Sequence, residues 1–303
     1  MQMFNKSFLV NKIVNSLLTK EYQVLLTQGS FDIAAKKEDL FLIKVLMNID
    51  GLDPDQASSL KVISYFLSAY PFVVSIKTNR EVLNNDIIYS RFGLSVVTPQ
   101  MFDGLTNEEI SAIQSAKGRH TIDIDNEILR KRRNEMGFSL EELSKIARIS
   151  KKALYEIENK RVNPSMETVE KLESILRVDL KLPYKMKTAE ATYLKPKNEF
   201  QREVSKEFTR IGIDNSSVYS APFELIGKEN FSIITNLSTN TVKIKREVGI
   251  FKKLSSVFSS KAVFIAKKSH EKNVEGIPVF LDTELPDIES SKELSDIIKE
   301  KTE

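Results

Sequence analysis

Between residues 137 and 159 the chain carries two complete helix-start signals with almost nothing between them. Ser139-Leu140-Glu141-Glu142 places a serine at an N-cap and a glutamate three residues on, so each side chain can take up the other's free backbone donor. Phe138 before the cap and Leu143 at the fourth helical position form the apolar pair that fixes the angle of entry. Gly137 supplies a residue on which a preceding helix can end. A second start follows at Ser150, flanked by the pair Ile149 and Leu154, so only Arg148 and Ile149 separate the two helices. A connection that short forces the helices to cross steeply.

Wound as a helix from Lys151, the second segment separates by face. Leu154 and Ile157 fall on one side, while Lys151, Lys152, Tyr155 and Asn159 fall within about 100° on the other. This is the pattern of a helix-turn-helix whose recognition helix, Ser150 to Asn159, enters the major groove of double-stranded DNA. Lys151 and Lys152 stand in the first turn, where an ammonium can donate to guanine O6 and N7. Tyr155 can bring its ring to a thymine methyl or its hydroxyl to a base or phosphate. Ser139, Ser150, Asn159, Lys160 and Arg161 occupy helix ends and the following loop, from which side chains bind phosphate and set register.

Charge follows the same map. Residues 125–187 carry fifteen Lys and Arg against eleven Asp and Glu, whereas 1–124 carry twelve against thirteen and 188–303 eighteen of each. The basic excess therefore sits around the two helices, as a phosphate-binding module requires. With no cysteine and only His120 and His270, disulfides, thiolate metal sites and cysteine nucleophiles are excluded, and neither a metal nor another cofactor is expected. The segment 1–18 is interrupted by Asn5, Lys6, Asn11, Lys12 and Asn15 and reads as an amphipathic helix, not a secretory leader. Apolar runs such as Phe41 to Met47 fall short of the roughly 20 residues that span a bilayer, so a cytoplasmic protein with no membrane partner is expected.

On either side of the helical section the periodicity changes. Residues 5–18 and 55–68 read as helices, and Tyr22 to Leu26, Phe31 to Ala35, Phe41 to Leu46, Phe72 to Lys77 and Leu94 to Val97 as strands, with a further helix at Asn107 to Ala116 and a turn at Lys117-Gly118-Arg119. From Glu199 the order returns: a helix to Ile211, strands at Val218 to Ile226 and Phe231 to Asn236, a helix near Ile244 to Phe258, and strands Ala262 to Ala266 and Pro278 to Leu281. The expected domains are an α/β domain at 1–118, a helical domain at 125–178, a linker at 179–198 with Pro183, Pro196 and five lysines, a second α/β domain at 199–288, and a charged, fraying tail at 289–303. Short strings also repeat: Phe31-Asp32-Ile33 with Leu42 to Leu46 lines up with Phe223-Glu224-Leu225 and Ile233 to Leu237, and Phe92-Gly93-Leu94-Ser95-Val96 with Glu275-Gly276-Ile277-Pro278-Val279. They suggest an internal duplication around the helical section.

On the strings Leu129-Arg130-Lys131-Arg132-Arg133, Gly137 to Leu143, Ile149-Ser150, Tyr155 to Asn159 and the closing helix Thr168 to Leu176, the centre of the chain resembles the phage repressor and Cro class of helix-turn-helix domains. The resemblance implies that Arg133 of the first helix pairs with Glu158 at the end of the recognition helix. Leu140 departs from the class, which usually has a phosphate-contacting Gln there. The N-terminal order of helix and strands, with Asp32 and Lys44, resembles the PD-(D/E)XK nuclease fold, which holds a divalent metal with an Asp and a second acid two residues before a Lys. Leu42 stands where that second acid belongs, and an apolar side chain cannot coordinate a hard cation.

In the C-terminal copy the matched positions are Glu224, Ile233 and Thr235. The expected fold class is therefore α/β plus all-α: a central repressor/Cro-like helix-turn-helix bundle flanked by two degenerate nuclease-like α/β domains. In these, Asp32 is expected as a turn carboxylate and Lys44 as a strand-end charge. The layout resembles the roughly 300-residue family of predicted archaeal transcriptional regulators. It implies a sequence-specific DNA-binding regulator of transcription, not an enzyme, acting as a homodimer with room for an effector or protein partner. Two other readings stay open, a metal-dependent nuclease delivered to DNA by the helices and an interaction scaffold that does not bind DNA. No motif marks a small-molecule pocket.

Overall fold

The structure is a computed structural model that describes residues 5–107, 113–116, 119–239 and 241–302. The chain runs α1 (Lys6–Thr19), β1 (Gln23–Leu26), β2 (Ile33–Lys36), β3 (Leu40–Val45), α2 (Pro54–Leu67), β4 (Tyr70–Val74), β5 (Ile87–Arg91), β6 (Leu94–Val97), α3 (Pro99–Leu105), β7 (Ile113–Ala116) and β8 (Arg119–Thr121). Four helices follow: α4 (Asn126–Glu135), α5 (Leu140–Ala147), α6 (Lys151–Glu158) and α7 (Met166–Leu176). The last third is α8 (Glu199–Arg210), β9 (Asp214–Ser217), β10 (Leu225–Lys228), β11 (Ser232–Ser238), α9 (Thr241–Phe258), β12 (Lys261–Ala266), β13 (Asn273–Val274), β14 (Ile277–Leu281) and α10 (Ser291–Thr302). No helix among the described residues is long and apolar enough to cross a membrane.

Contacts gather these elements into two units, one formed by residues 1–75 with 187–303 and the other by residues 76–186. The linear division at 118 and 199 is therefore not the division of packing. In the first unit two lobes repeat one design. Strands β1, β2, β3 and β4 are neighbours in that order, with two antiparallel pairs and then a parallel one. Strands β9, β10, β11 and β12 are joined in the same way, and α2 and α9 make the two parallel crossovers. Every residue of β3 is buried, which explains its unbroken apolar run with a single lysine: a strand covered on both faces loses the alternation of a half-exposed one.

Pairing fixes how the two lobes correspond. Ile33 is opposite Ile43, and Leu225 is opposite Thr235, so Thr235 matches Ile43 and Asn236 matches Lys44. This corrects the string alignment by one residue: the C-terminal counterparts of Leu42 and Lys44 are Ile234 and Asn236, not Ile233 and Thr235. A one-residue slip is invisible in a run of apolar side chains, but in a sheet it would turn every side chain to the other face. The hairpin strings correspond as aligned. Phe92 and Gly93 join β5 to β6 with φ of 52° and 78°, and Glu275 and Gly276 join β13 to β14 with φ of 51° and 86°. Two left-handed residues in succession form the tight turn that suits the twist of paired strands.

The two lobes pack against each other reciprocally, α9 on β1 and β2, and α2 on β10. Phe258 of α9 packs between Phe31 and Phe223, tilted against the one and edge to face with the other, with ring centroids 6.1 Å and 6.3 Å away. At the seam the Ser30 N–H donates to Ser220 O at 2.6 Å, and Ser30 Oγ donates to Tyr219 O at 2.6 Å. The contact is so close that a Cβ on Gly29 would lie 1.9 Å from Ser220 O, and Gly29 has φ of 114°.

The expected linker is ordered. Leu180 O accepts from the Asp125 N–H at 2.8 Å, and the Leu182 N–H donates to Asp123 O at 3.0 Å, so residues 179–182 clip onto the helical unit. Farther on, Leu194 N–H donates to Ser216 Oγ at 2.8 Å, the Tyr219 hydroxyl donates to Lys195 O at 2.6 Å and Lys197 pairs with Asp55 at 3.3 Å, fastening this stretch to both lobes. The tail expected to fray is instead α10, whose Leu294 and Ile298 are buried with Val204, Phe208 and Ile265. Charged residues set its composition, but two apolar side chains four apart suffice to dock a helix.

In the second unit β6, β5, β7 and β8 form a sheet beside the four-helix section. The helix expected at Asn107 to Ala116 is corrected: α3 lies earlier, and Ile113–Ala116 is a strand parallel to β5. The rest of that segment and the turn residues Lys117 and Gly118 lie outside the described residues. The strand expected at Val218 to Ile226 is corrected too: residues 218–224 connect β9 to β10, an antiparallel pair, and only Leu225 and Ile226 of the expected segment lie in a strand.

Gly29→Ala should lower the unfolding free energy by about 2 kcal/mol or more, because it adds a clash to a left-handed backbone. Urea unfolding measures this, and a wild-type midpoint would mean that the lobes do not meet at Ser220.

Candidate nucleic-acid interface

Each helix of the central section begins on a side-chain cap. Asp125 Oδ1 accepts from Glu127 and Ile128 N–H groups at 3.0 Å and 2.9 Å, starting α4. Ser139 Oγ accepts from Glu142 N–H at 3.2 Å while Glu142 Oε2 accepts from Ser139 N–H at 2.8 Å, so both bonds of the capping box form. Gly137, with φ of 73°, carries the chain out of α4, and Arg148, with φ of 54°, ends α5. Ser150 then opens α6 by accepting from Ala153 N–H at 3.0 Å. Leu129, Leu143, Ala147, Leu154, Ile157, Val169, Leu172 and Leu176 bury together into one core, with Phe138 and Ile149 packed on it. Burying an aliphatic side chain contributes about 1.5–3 kcal/mol, so this cluster fixes the angle of α6 against α5.

The C-terminal end of α6 is held from α4 by charge. Arg133 Nε donates to Glu158 Oε1 at 2.6 Å and Nη2 to Oε2 at 3.0 Å, both residues being buried. Arg133 Nη1 also donates to Phe138 O at 2.8 Å, which ties the same guanidinium to the turn before α5. Asn126 Nδ2 donates to Ile157 O at 2.6 Å, and Arg130 Nη2 to Asn159 Oδ1 at 2.9 Å. Sequence reasoning missed Asn126 and Arg130 as supports. The signal was present, since Arg130 and Arg133 lie three apart on one helical face.

On the opposite face Lys151, Lys152 and Tyr155 are exposed, as are Ser139, Ser150, Lys160 and Arg161. Lys151 lies 3.6 Å from Glu141, Lys160 is 2.9 Å from Glu127 and Arg161 is 3.3 Å from Glu156, with the Arg161 guanidinium 5.5 Å from the centre of the Tyr155 ring. Lys152 makes no ion pair with any described residue. The Glu141 carboxyl is held below the usual range by its hydrogen bond from Lys145 and by the charges of Lys145 and Lys151. Ion pairs between exposed groups contribute about 1 kcal/mol or less, so these lysines and arginines can exchange a carboxylate for a phosphate at little cost. Asn159 differs from the others. Its Oδ1 accepts from Arg130, and its Nδ2 donates to Tyr155 O at 2.7 Å, so its amide is engaged within the bundle.

In the first lobe Asp32, in the bend before β2, and Lys44, next to the end of β3, are both buried, which the expectation of a turn carboxylate and a strand-end charge did not include. Asp32 Oδ2 accepts from Val45 N–H at 2.7 Å, Oδ1 accepts from Lys6 Nζ at 2.7 Å, and Lys44 Nζ stands 3.7 Å from Oδ2. Burial pushes the Lys44 pKa down, against the pull of Asp32. The second lobe repeats the arrangement with different residues. Glu224 Oε2 accepts from Leu237 N–H at 2.8 Å, and Oε1 accepts from Lys243 Nζ at 3.1 Å. Among the described residues no group of three or more His, Asp and Glu is placed to hold a metal ion.

Comparison with known proteins matches residues 6–111 to the PD-(D/E)XK superfamily domain and residues 129–182 to the Helix-turn-helix family. A protein of Methanothermobacter thermautotrophicus, provisionally named an HTH-type transcriptional regulatory protein, is 31% identical over 282 residues, covering 90% of this chain and 89% of that one. Proteins of the same provisional name from Methanocaldococcus jannaschii and Pyrococcus furiosus are 27% and 29% identical, covering 98% and 96% of this chain and the same shares of theirs. No solved structure matches.

Glu158→Ala leaves the Arg133 guanidinium buried without its counter-ion and should destabilise the helical unit by about 3–5 kcal/mol. Adding Arg133→Ala should recover part of that loss. Equal losses that simply add in a double-mutant cycle would mean that the pair carries no coupling.

Proposed function

The chain belongs to the family of archaeal HTH-type transcriptional regulatory proteins, and on that premise we propose that it reads specific DNA sites through α6. The observation that carries the reading is the division of this one short helix. Leu154, Ile157 and Glu158 are locked inside, and Lys151, Lys152 and Tyr155 are exposed on the outside. An ammonium in the first turn of a helix lying in the major groove meets base edges, and Lys151 and Lys152 are the proposed readers of guanine. Tyr155 contributes its ring or hydroxyl beside them. Ser139, Ser150, Lys160 and Arg161 are proposed phosphate contacts that fix register. Asn159 acts as a positioning residue, since its amide already holds the end of α6 to Arg130. As a homodimer, two copies would place recognition helices about 34 Å apart on inverted half-sites.

The two lobes of the other unit serve this reading as non-catalytic modules. Their shared strand order supports descent of the second lobe from the same nuclease-like fold as the first. The fold implies a divalent metal, and the residues present do not fit one. Leu42 is fully buried at the position of the second acid, and the carboxylate of Asp32 is already taken by a backbone N–H and the ammonium of Lys6. In the second lobe Lys243 plays the same part against Glu224. Two ammonium groups, at 2.7 Å and 3.7 Å, already balance the Asp32 carboxylate in the first lobe, and they repel a further cation.

Lys151→Ala with Lys152→Ala should erase the preference for operator over random DNA, a loss of about tenfold or more given 1–3 kcal/mol for a good base contact. Mobility shift with a site recovered by crosslinking measures it, and unchanged specificity would assign the reading surface elsewhere. Plasmid incubated with Mg²⁺ or Mn²⁺ should stay intact. Cleavage that disappears in Asp32→Ala would instead establish the nuclease reading. An affinity indifferent to salt would favour the scaffold, because phosphate contacts release counter-ions.

A further inference from the structure

Asp214 in β9 and Lys228 in β10 are direct partners across an antiparallel pair, which sets their Cβ atoms about 5 Å apart. Opposite charges so placed ordinarily bond to each other. Here each turns to a different side chain: Asp214 Oδ2 accepts from the Tyr193 hydroxyl at 2.8 Å, and Lys228 Nζ donates to Ser68 Oγ at 3.3 Å. The hydrogen bond from Tyr193 to Asp214 also raises the pKa of that tyrosine. An acceptor on Asp214 and two hydrogens on Lys228 are left over, side by side, with no ion pair between them.

Both charges line a cavity of about 340 Å³ together with Tyr65, Phe66, Ser68 and Thr188. The rings of Tyr65 and Phe66 meet edge to face at 5.3 Å, and Tyr193 lies 6.3 Å and 6.0 Å from them. The cavity therefore offers an anion, a cation and the half-buried ring of Tyr65, backed by the buried Phe66, within one small volume, the size of a small-ligand site.

We propose that this cavity binds a free α-amino acid with an apolar or aromatic side chain. Its ammonium meets Asp214, its carboxylate meets Lys228, and its side chain lies against Tyr65. An α-amino acid fits because its two opposite charges sit on neighbouring atoms of one short skeleton, as the two protein charges sit on neighbouring strands. Ammonium needs an acceptor and carboxylate needs donors, which are the capacities left unspent. The ligand would touch Thr188, and Tyr193 stands beside the same rings, so it would meet the segment by which the chain leaves the helical unit at residue 186. The proposal stands apart from DNA reading by α6.

Titration calorimetry and thermal melting of the full-length protein test it, with L-phenylalanine and L-leucine as probes and N-acetyl-L-phenylalanine and L-phenylalaninamide as blocked controls. At least one free amino acid should bind and raise the melting temperature, since a ligand held only by the folded state stabilises it. Each blocked form should bind at least tenfold more weakly. Asp214→Asn and Lys228→Met should each cost tenfold or more in affinity while the unliganded melting temperature stays near wild type, both side chains being exposed. Absence of heat and of a melting shift with either probe at millimolar concentration would overturn the proposal. So would blocked forms that bind as well as their parents. A mobility shift on the same preparation reports on α6 separately.

Discussion

A guanidinium buried between two helices ties the helical unit together. Arg133 reaches from α4 to both oxygens of Glu158 and to the carbonyl of Phe138, so one side chain ties together the start of α5 and the end of α6. A charge taken out of water persists only when paired and hydrogen-bonded in good geometry, and the planar fork of arginine meets a carboxylate at two points. The apolar core sets how closely the helices approach. The ion pair sets their register, and with it the direction in which Lys151, Lys152 and Tyr155 face.

The other unit obeys a similar rule with different chemistry. In both lobes a carboxylate just before the second strand accepts the backbone N–H near the end of the third, and a lysine takes the other oxygen. The lysines come from different elements, α1 in one lobe and α9 in the other, yet both satisfy the same place in the sheet. A carboxylate buried at such a position is kept in place when an ammonium is tethered beside it. Reciprocal packing of the lobes then buries the faces that separate domains would have exposed, and it explains why residues 1–75 and 187–303, far apart in sequence, form one unit.

The sequence by itself determined the helical section almost residue by residue. Capping boxes, staples and a left-handed C-cap are local devices, satisfied by neighbours within four or five positions, so Ser139, Glu142, Ser150 and Gly137 announced their roles without knowledge of the rest of the chain. Repeats of Phe-Asp-Ile and Phe-Glu-Leu, and of the two glycine turns, likewise stood in the string because strand and turn chemistry is short-ranged.

Tertiary structure alone decided what depends on partners far along the chain. Register within apolar strands moved the match of Lys44 from Thr235 to Asn236, burial made a turn carboxylate, Asp32, and a strand-end charge, Lys44, into an inner ion pair, and contacts with both lobes made an ordered strap of a stretch that composition marked as a linker. Asn159 showed the same dependence on a smaller scale, since only the approach of Arg130 revealed that its amide was already engaged. Side-chain type states what a residue can bond to, and only the packed chain decides which bond is within reach.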